Sequence, residues 1–384
     1  MSIVRDPGGY WDGLTVAEKG VTVFVVGFAV LLLLGLLSGG LAPAYFLYLV
    51  GLAGMYALLS FGLNAQWGYS GLINFSVAAF FGIGAYGAAL ASASSSPLAG
   101  GLNPLVGLLV ALVLAAVLAL LIGIPTLRLR ADYLAIASIG LAEVVRIVIK
   151  NEDQWTNGSA GIRGIPSFFE GWPVLATLPE TMPGVVITAL PGGDIVLAAA
   201  FWRALLNVGL VVAFVAASYL VLRRAHRSPW GRVLRTIRSD EDLARALGKN
   251  TYSFKMQAFV LGSLVMALAG VFYAHLNLYV SPGDLDPITT FYVWVAVMLG
   301  GSGSNRGALF GGVVIVAIRE GTRALPFEAA PIRLLFIGLI IVLLMRFRPQ
   351  GVLPPQRELI WPRTVSEAPE QPDSGVRETK AGEQ

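Results

Sequence analysis

The chain has 384 residues, of which 56% are hydrophobic and only 13% charged, with 45 glycines and a mean hydropathy of +0.72. Soluble domains carry about 25% charged residues, so the composition excludes an ordinary soluble domain and indicates a polytopic membrane protein. The net charge of +4 does not imply a nucleic-acid partner, because the basic residues flank apolar runs, and the absence of cysteine excludes disulfides and thiolate metal sites.

Residues 1–20 read as a cytoplasmic N-terminal segment. The first apolar run, 21–38, is short, and the following "GGLAPAY" weakly resembles a signal-peptide cleavage site. A retained span is preferred, because further spans follow at once. Crossing hydrocarbon takes about 20 apolar residues, and spans are predicted at 44–66, 72–92, 104–124, 133–149, 204–222, 256–275, 288–300, 307–320 and 332–346. The two near residue 300 are too short for simple spans, and the "LGGSGSNRGALFGG" between them predicts broken or tilted helices shielded by protein. The fold class is therefore all-α, a transmembrane bundle of about 8–10 spans with short or broken helices. The membrane domain runs from 21 to 348. The segment 349–384 is a tail whose final "SEAPEQPDSGVRETKAGEQ" reads as disordered.

Lys and Arg give the orientation. Arg128 and Arg130 follow one span, nine of the 27 basic residues lie between Arg223 and Lys255, and Arg346, Arg348 and Arg357 follow the last span. By the positive-inside rule these three loops are cytoplasmic. Both termini are then inside, the loop 223–255 is cytoplasmic, and the long segment 150–203 is outside.

The stretch "GRVLRTIRSDEDLARALGKNTYSFKMQAF" (231–259) is charged out of proportion to the rest. Val233, Leu234 and Ile237 recur at helical spacing with Arg232, Arg235 and Arg238 opposite, which predicts a helix lying on the membrane surface. Ser239 is the expected N-cap of a second, two-turn helix with Asp240, Glu241 and Asp242 in its first turn, Asp242 completing a capping-box-like pair. Gly248 closes it, and Leu243, Ala244, Ala246 and Leu247 form a small apolar face. Caps and amphipathicity suit a solvated connector and a docking helix equally.

Polar residues within spans are expensive in lipid and face a cavity or a partner. Asn64, Gln66, Ser70, Asn74 and Ser76 cluster in "GLNAQWGYSGLINFS", where glycines permit a broken helix and a zwitterionic substrate would find hydrogen-bonding groups. Packing of helix on helix through polar side chains is the other reading. Glu143 and Arg146, one turn apart, read as an internal ion pair or as substrate ligands. His226 and His275 have no second ligand at metal spacing. No paired carboxylates or nucleophile constellation indicates an enzyme, and no cofactor is expected. No Gly-x-x-x-x-Gly-Lys-Ser/Thr stretch occurs, so nucleotide binding is left to another polypeptide.

Asp242, Leu243, Ala244 and Gly248 match the spacing of the Glu-Ala-Ala-x-x-x-Gly motif of ABC importer permeases, with Asp and Leu in place of Glu and Ala. In order, "GLINFSVAAFFGIGAYGAALA", "PTLRLRADYLAIASIGLAEVVRIV", "TNGSAGIRGIP", "GRVLRTIRSDEDLARALG", "LGGSGSNRGALFGG" and "RPQGVL" resemble segments of the permease subunits of branched-chain amino acid ABC importers. The resemblance spans roughly 20–355. It implies a type II-like or related importer permease that carries branched-chain or related hydrophobic amino acids inward across the bacterial inner membrane. It also implies ABC ATPase subunits, a second homologous permease and an external binding protein as partners. In that family the loop helix, here Ser239 to Gly248, enters a groove on the ATPase. The binding protein would meet the outer segment, with Trp155 and Trp172 as anchors and Arg163 as a rim charge. Ser76 and Val77 stand where many relatives have Gly-His, which leaves the solute open. The alternatives are the same architecture carrying urea or a short amide, and an autonomous secondary transporter or channel for small polar solutes.

Overall fold

The structure is a computed structural model and describes residues 41–98, 100–187, 195–322 and 350–355, with scattered positions within 19–36 and 331–347. The expected N-terminal segment 1–20, the spans 21–38 and 332–346, Arg348, Arg357 and the tail beyond 355 lie wholly or largely outside these residues.

The chain opens with α1, Pro43–Leu63, free of charge and started by a proline whose missing N–H is no loss in a first turn. A π-turn, Asn64–Gly68, ends it. Gly71 then adopts φ +74°, and 71–76 runs extended before α2, Val77–Ser92. The expected span 72–92 is thus corrected to a shorter helix of 16 residues. The cause is local: Asn74 Oδ1 accepts Ser76 N–H at 2.8 Å, an Asx-type turn that competes with helix.

Next come α3, Pro104–Thr126, capped by Asn103, and α4, Ala131–Asn151. The segment after α4 holds the short α5, Asp153–Thr156, then β1, Ile162–Arg163, α6, Pro173–Thr181, and the paired β2, Val185–Ile187, and β3, Ile195–Leu197. Then follow α7, Ala199–Arg227, α8, Pro229–Ser239, α9, Glu241–Ala246, and α10, Thr251–Asn277. The strand β4, Tyr279–Val280, pairs antiparallel with β1 and ties the segment after α4 to the end of α10. The helices α11, Pro287–Gly300, and α12, Asn305–Gly321, form a hairpin.

Among the described residues, Pro43–Gly68, Pro104–Thr126, Ala199–Arg227 and Thr251–Asn277 are long and apolar enough to cross a membrane, while Val77–Ser92 and Pro287–Gly300 are apolar but short. The centre is α1 and α10, largely buried, flanked by α2, α11 and α12. Lipid tails are as apolar as leucine, so helices associate through close packing rather than through the hydrophobic effect. Gly84 shows it: a Cβ there would lie 2.1 Å from the Ala267 carbonyl oxygen, so only glycine lets α2 and α10 touch. By contrast α3 and α7 leave Leu109, Val113 and Leu121, and Val212, Leu220 and Val221, exposed. Such uncharged sides suit lipid.

The helices α8 and α9 lie at one end of the bundle, the loop end, together with the last turns of α1 and α11 and the first turn of α12. Arg128 sits over the Tyr252 ring at 5.6 Å, so the basic residues after α3 share this end with the basic loop, as expected.

Candidate functional site

The loop end brings together four of the sequence segments singled out above. Arg238, in the last turn of α8, donates through Nη1 to the Gly68 carbonyl of the π-turn and through Nη2 to Ser302 Oγ at 3.0 Å. Gly303 N–H donates to Asn64 Oδ1 at 2.7 Å. Val352 and Leu353 N–H return to the carbonyls of Leu299 and Gly300 at 2.8 and 2.9 Å. A charge-assisted donor on two backbone segments makes Arg238 a strut rather than a solvated charge. Sequence reasoning had placed it only on a polar face, because its partners are 170 and 64 residues away.

The helix α8 also differs from expectation in what it covers. Leu234 and Ile237 are buried in the main core, so its apolar face lies on the protein and not on lipid. The basic loop curls back onto the bundle that it connects.

The helix α9 carries the predicted motif, with one shift. Its N-cap is Asp240, not Ser239: Asp240 has extended backbone, and its Oδ1 accepts Leu243 N–H at 2.9 Å. Ser239 is the last residue of α8 and donates to the Thr236 carbonyl. Both residue types cap well, but a carboxylate also meets the positive helix end. Asp242 completes no capping box and instead pairs with Arg245 at 3.2 Å. At the far end Gly248 takes φ +75°, with Gly248 N–H on the Arg245 carbonyl and Lys249 N–H on the Ala244 carbonyl. That double closure is a Schellman motif, and glycine is required at its left-handed position.

The base of α9 is pinned by charge. Glu241 accepts from Lys255, from Arg245 at 2.8 Å and from Thr251 Oγ1 at 3.0 Å. Burial pushes the Glu241 carboxyl up, but the Lys255 and Thr251 hydrogen bonds and the Arg245 charge outweigh it and hold the group below the usual carboxylate range. The apolar face divides: Ala244 is buried toward the chain's own bundle, whereas Leu243 is 51% and Leu247 64% exposed. Two leucines are therefore held outward on a short helix fixed at both ends.

Behind the strut lies a buried polar hinge. Asn64 Nδ2 and Tyr69 Oη both reach Asn305 Oδ1, at 3.0 and 2.5 Å. Gln66 Nε2 donates to the Phe259 carbonyl at 2.8 Å and to Ser263 Oγ at 3.1 Å, and its Oε1 accepts from Asn74 Nδ2 at 2.7 Å. Ser70 Oγ donates to the Gln66 carbonyl, and Ser76 Oγ to Asn74 Oδ1. The structure thus buries all five residues, links Gln66, Ser70, Asn74 and Ser76 to one another, and ties Asn64 instead to Asn305 and Gly303. Tyr69 and Asn305 complete this hinge and escaped the sequence reading, having no signal beyond ordinary helical positions. Glu143, on α4, is apart from the hinge and forms the expected ion pair with Arg146, Nε to Oε2 at 2.8 Å.

At the opposite end, Trp155 is 62% exposed on α5. Arg163 lies over the Tyr279 ring at 5.8 Å. Trp172 packs among Phe168 and Phe169, half-buried. His275 is buried, with Nδ1–H on the Pro166 carbonyl at 2.8 Å.

Four helices of spanning length and two shorter apolar ones, packed around a bonded polar cluster with a capped, leucine-bearing helix displayed at one end, define a multi-pass membrane protein. The chain belongs to the family described as branched-chain amino acid transport system permease components, whose model matches residues 45–345. It is 32% identical over 355 residues to the Escherichia coli high-affinity branched-chain amino acid transport system permease protein LivM, covering 90% of this chain and 77% of that protein. It is 25% identical over 349 residues to a probable LivM permease of Methanocaldococcus jannaschii, covering 80% and 93%. Likeness extends to the E. coli LivH permease, at 28% over 312 residues, 79% of this chain and 92% of that one. No solved structure matches the chain significantly.

Proposed function

We propose that the chain is one of two permease subunits of an ATP-driven importer that moves branched-chain or related hydrophobic amino acids into the cell across the bacterial inner membrane. Residues 21–348 form the permease domain, with both termini and the loop 223–255 cytoplasmic, the segment 150–203 external and 349–384 a cytoplasmic tail. Separate ATPase subunits hydrolyse ATP. They take Leu243 and Leu247 of α9 into an apolar groove, with Asp240 and Gly248 fixing the helix ends and Ser239 marking where α8 stops. The companion is a homologous permease, in keeping with the chain's likeness to both LivM and LivH proteins. A soluble binding protein delivers substrate at the external end, where Trp155 is displayed and Arg163 and Trp172 lie close by in the chain.

The observation that carries this reading is the outward pair Leu243 and Leu247 on a helix capped at both ends and tied back by Arg238. A solvated connector would not hold two leucines outward. In operation, closure of the ATPases shifts α9, Arg238 passes the shift to the Gly68 carbonyl and Ser302, and the polar hinge at Asn64, Gln66 and Asn74 re-aims α2 and α11. The hinge side chains, with Ser70 and Ser76, then border the pathway by holding its helices.

Reconstitution tests this. Proteoliposomes holding this chain, the companion permease and ATPase subunits, with ATP inside and loaded binding protein outside, should accumulate leucine, and vesicles with this chain alone should not. Leucine uptake by the single chain without ATP would overturn the proposal.

A further inference from the structure

One face of the bundle carries charge at a depth where lipid would not accept it. A Cβ on Gly82 of α2 would strike Leu285, and one on Gly84 would strike Ala267, which lies in the middle of the 27-residue α10. Leu285 is followed at once by Asp286 and α11, so α11 begins alongside the bodies of α2 and α10 and not beyond their ends. Asp286 is exposed, and its Oδ1 caps α11 by accepting Ile288 N–H at 2.9 Å. Its Oδ2 accepts no hydrogen bond among the described residues.

The helix α4 packs beside this start. Ser138 Oγ accepts Phe75 N–H at 2.9 Å, and Glu143 and Arg146 follow one to two turns further along α4. The pair is partly exposed, Glu143 at 33% and Arg146 at 26%. Arg146 spends Nε and Nη2 on Glu143. Next to these charges stands an aromatic platform. Phe75 stacks on Trp294 at 4.8 Å and meets Phe291 at 5.8 Å, while Phe291 and the neighbouring Ile288 are exposed. Gly140, one turn before Glu143, has open space where a side chain would be.

We propose that this face is one half of a binding site for a zwitterionic amino acid with an apolar side chain, which Asp286 holds by its ammonium group and Arg146 by its carboxylate. Phe75, Ile288 and Phe291 receive the side chain, Glu143 orients the Arg146 fork, and the companion permease supplies the second wall. The inference rests on the importer reading above and adds where in this subunit the substrate sits. Opposite charges flanking an apolar platform suit a hydrophobic amino acid better than they suit lipid or an uncharged amide, and the planar guanidinium matches a carboxylate.

The absence of cysteine from the chain makes the test direct. In the complete complex with ATPases and companion permease, Ile288→Cys and Phe291→Cys are exposed to a small, charged, membrane-impermeant thiol reagent. Assembly of each variant is checked by co-purification. Both should be modified from the aqueous phase. The rate should fall by about fivefold or more when leucine-loaded binding protein and nucleotide are added, and leucine-free binding protein should give no such protection. Failure of the reagent to react at either position would mean that lipid or the companion permease covers the face, and modification unaffected by leucine would mean a water-filled groove without a site. Either result overturns the proposal.

Asp286→Asn gives the second arm, because asparagine caps a helix as well as aspartate but carries no charge. Leucine uptake by the assembled complex should drop by about tenfold or more, the loss expected of one charge-assisted bond. Uptake within about twofold of wild type would contradict the role of Asp286. Wild-type uptake, measured alongside, separates failure of this site from failure of the importer reading.

Discussion

At the residue scale, the helix α9 depends on two positions that do different work. Asp240 supplies the cap, so Asp240→Ala should cost about 1 kcal/mol of local helix stability, while Ser239→Ala should be close to neutral. Amide exchange of residues 241–247 in nanodiscs reads both, and equal effects would return the cap to Ser239. Gly248→Val places a β-branched residue at φ +75°, at a cost on the order of 1–2 kcal/mol. It should fray the same amides from the other end. The off-by-one in the cap shows what residue types alone leave open: Ser239 and Asp240 are both good caps, and only the burial of Leu234 and Ile237, which carries α8 one residue further, decides between them.

At the scale of the element, α8 is tied to the bundle by Arg238 and α9 is pinned at its base by Glu241. Because the Glu241 carboxyl is held below its unfolded value, its ion pairs stabilise the loop at every pH above the usual carboxylate range. That contribution is lost as pH falls through the lowered value. Exchange of the α9 amides, corrected for intrinsic rate, should therefore be flat down to about pH 5 and rise below about pH 4. Glu241→Gln should show faster exchange at neutral pH and a weaker acid response. An identical acid profile in the variant would remove Glu241 as the base.

Element by element, the sequence was most readable where periodicity and caps are local: α3 and α4 appeared at nearly their full extent, α7 and α10 by their apolar central parts, and Gly248 at its closing position. It was least readable where tertiary contacts decide. The break at 71–76 depends on an Asn74 side chain that also serves Gln66, eight residues away. Tyr69, Arg238 and Asn305 gain their roles only when segments more than 150 residues apart meet. The Asn and Gln cluster was visible as polar residues in apolar surroundings, but its mutual bonding was not, since composition carries no partner information.

At the scale of the whole molecule, the two ends have distinct tasks. The end opposite the loop end is stitched by β1 to β4 and displays Trp155, so under the proposed orientation a photo-reactive residue at 155 should cross-link to the binding protein in the assembled complex, and one at the half-buried 172 should do so less. No cross-link from 155 would make this segment a cap over the pathway instead. The loop end gathers the hinge, the strut and α9. In the proposed importer, ATP hydrolysis in a partner acts on this end through Leu243 and Leu247. Leu243→Asp tests it most directly, because an unpaired charge in an apolar groove is strongly unfavourable while the variant residue lies outside every span. The variant should insert and pair with its companion permease, yet lose ATPase co-purification and leucine uptake together. A Leu243→Asp complex that retains its ATPase and transports leucine at the wild-type rate would contradict it.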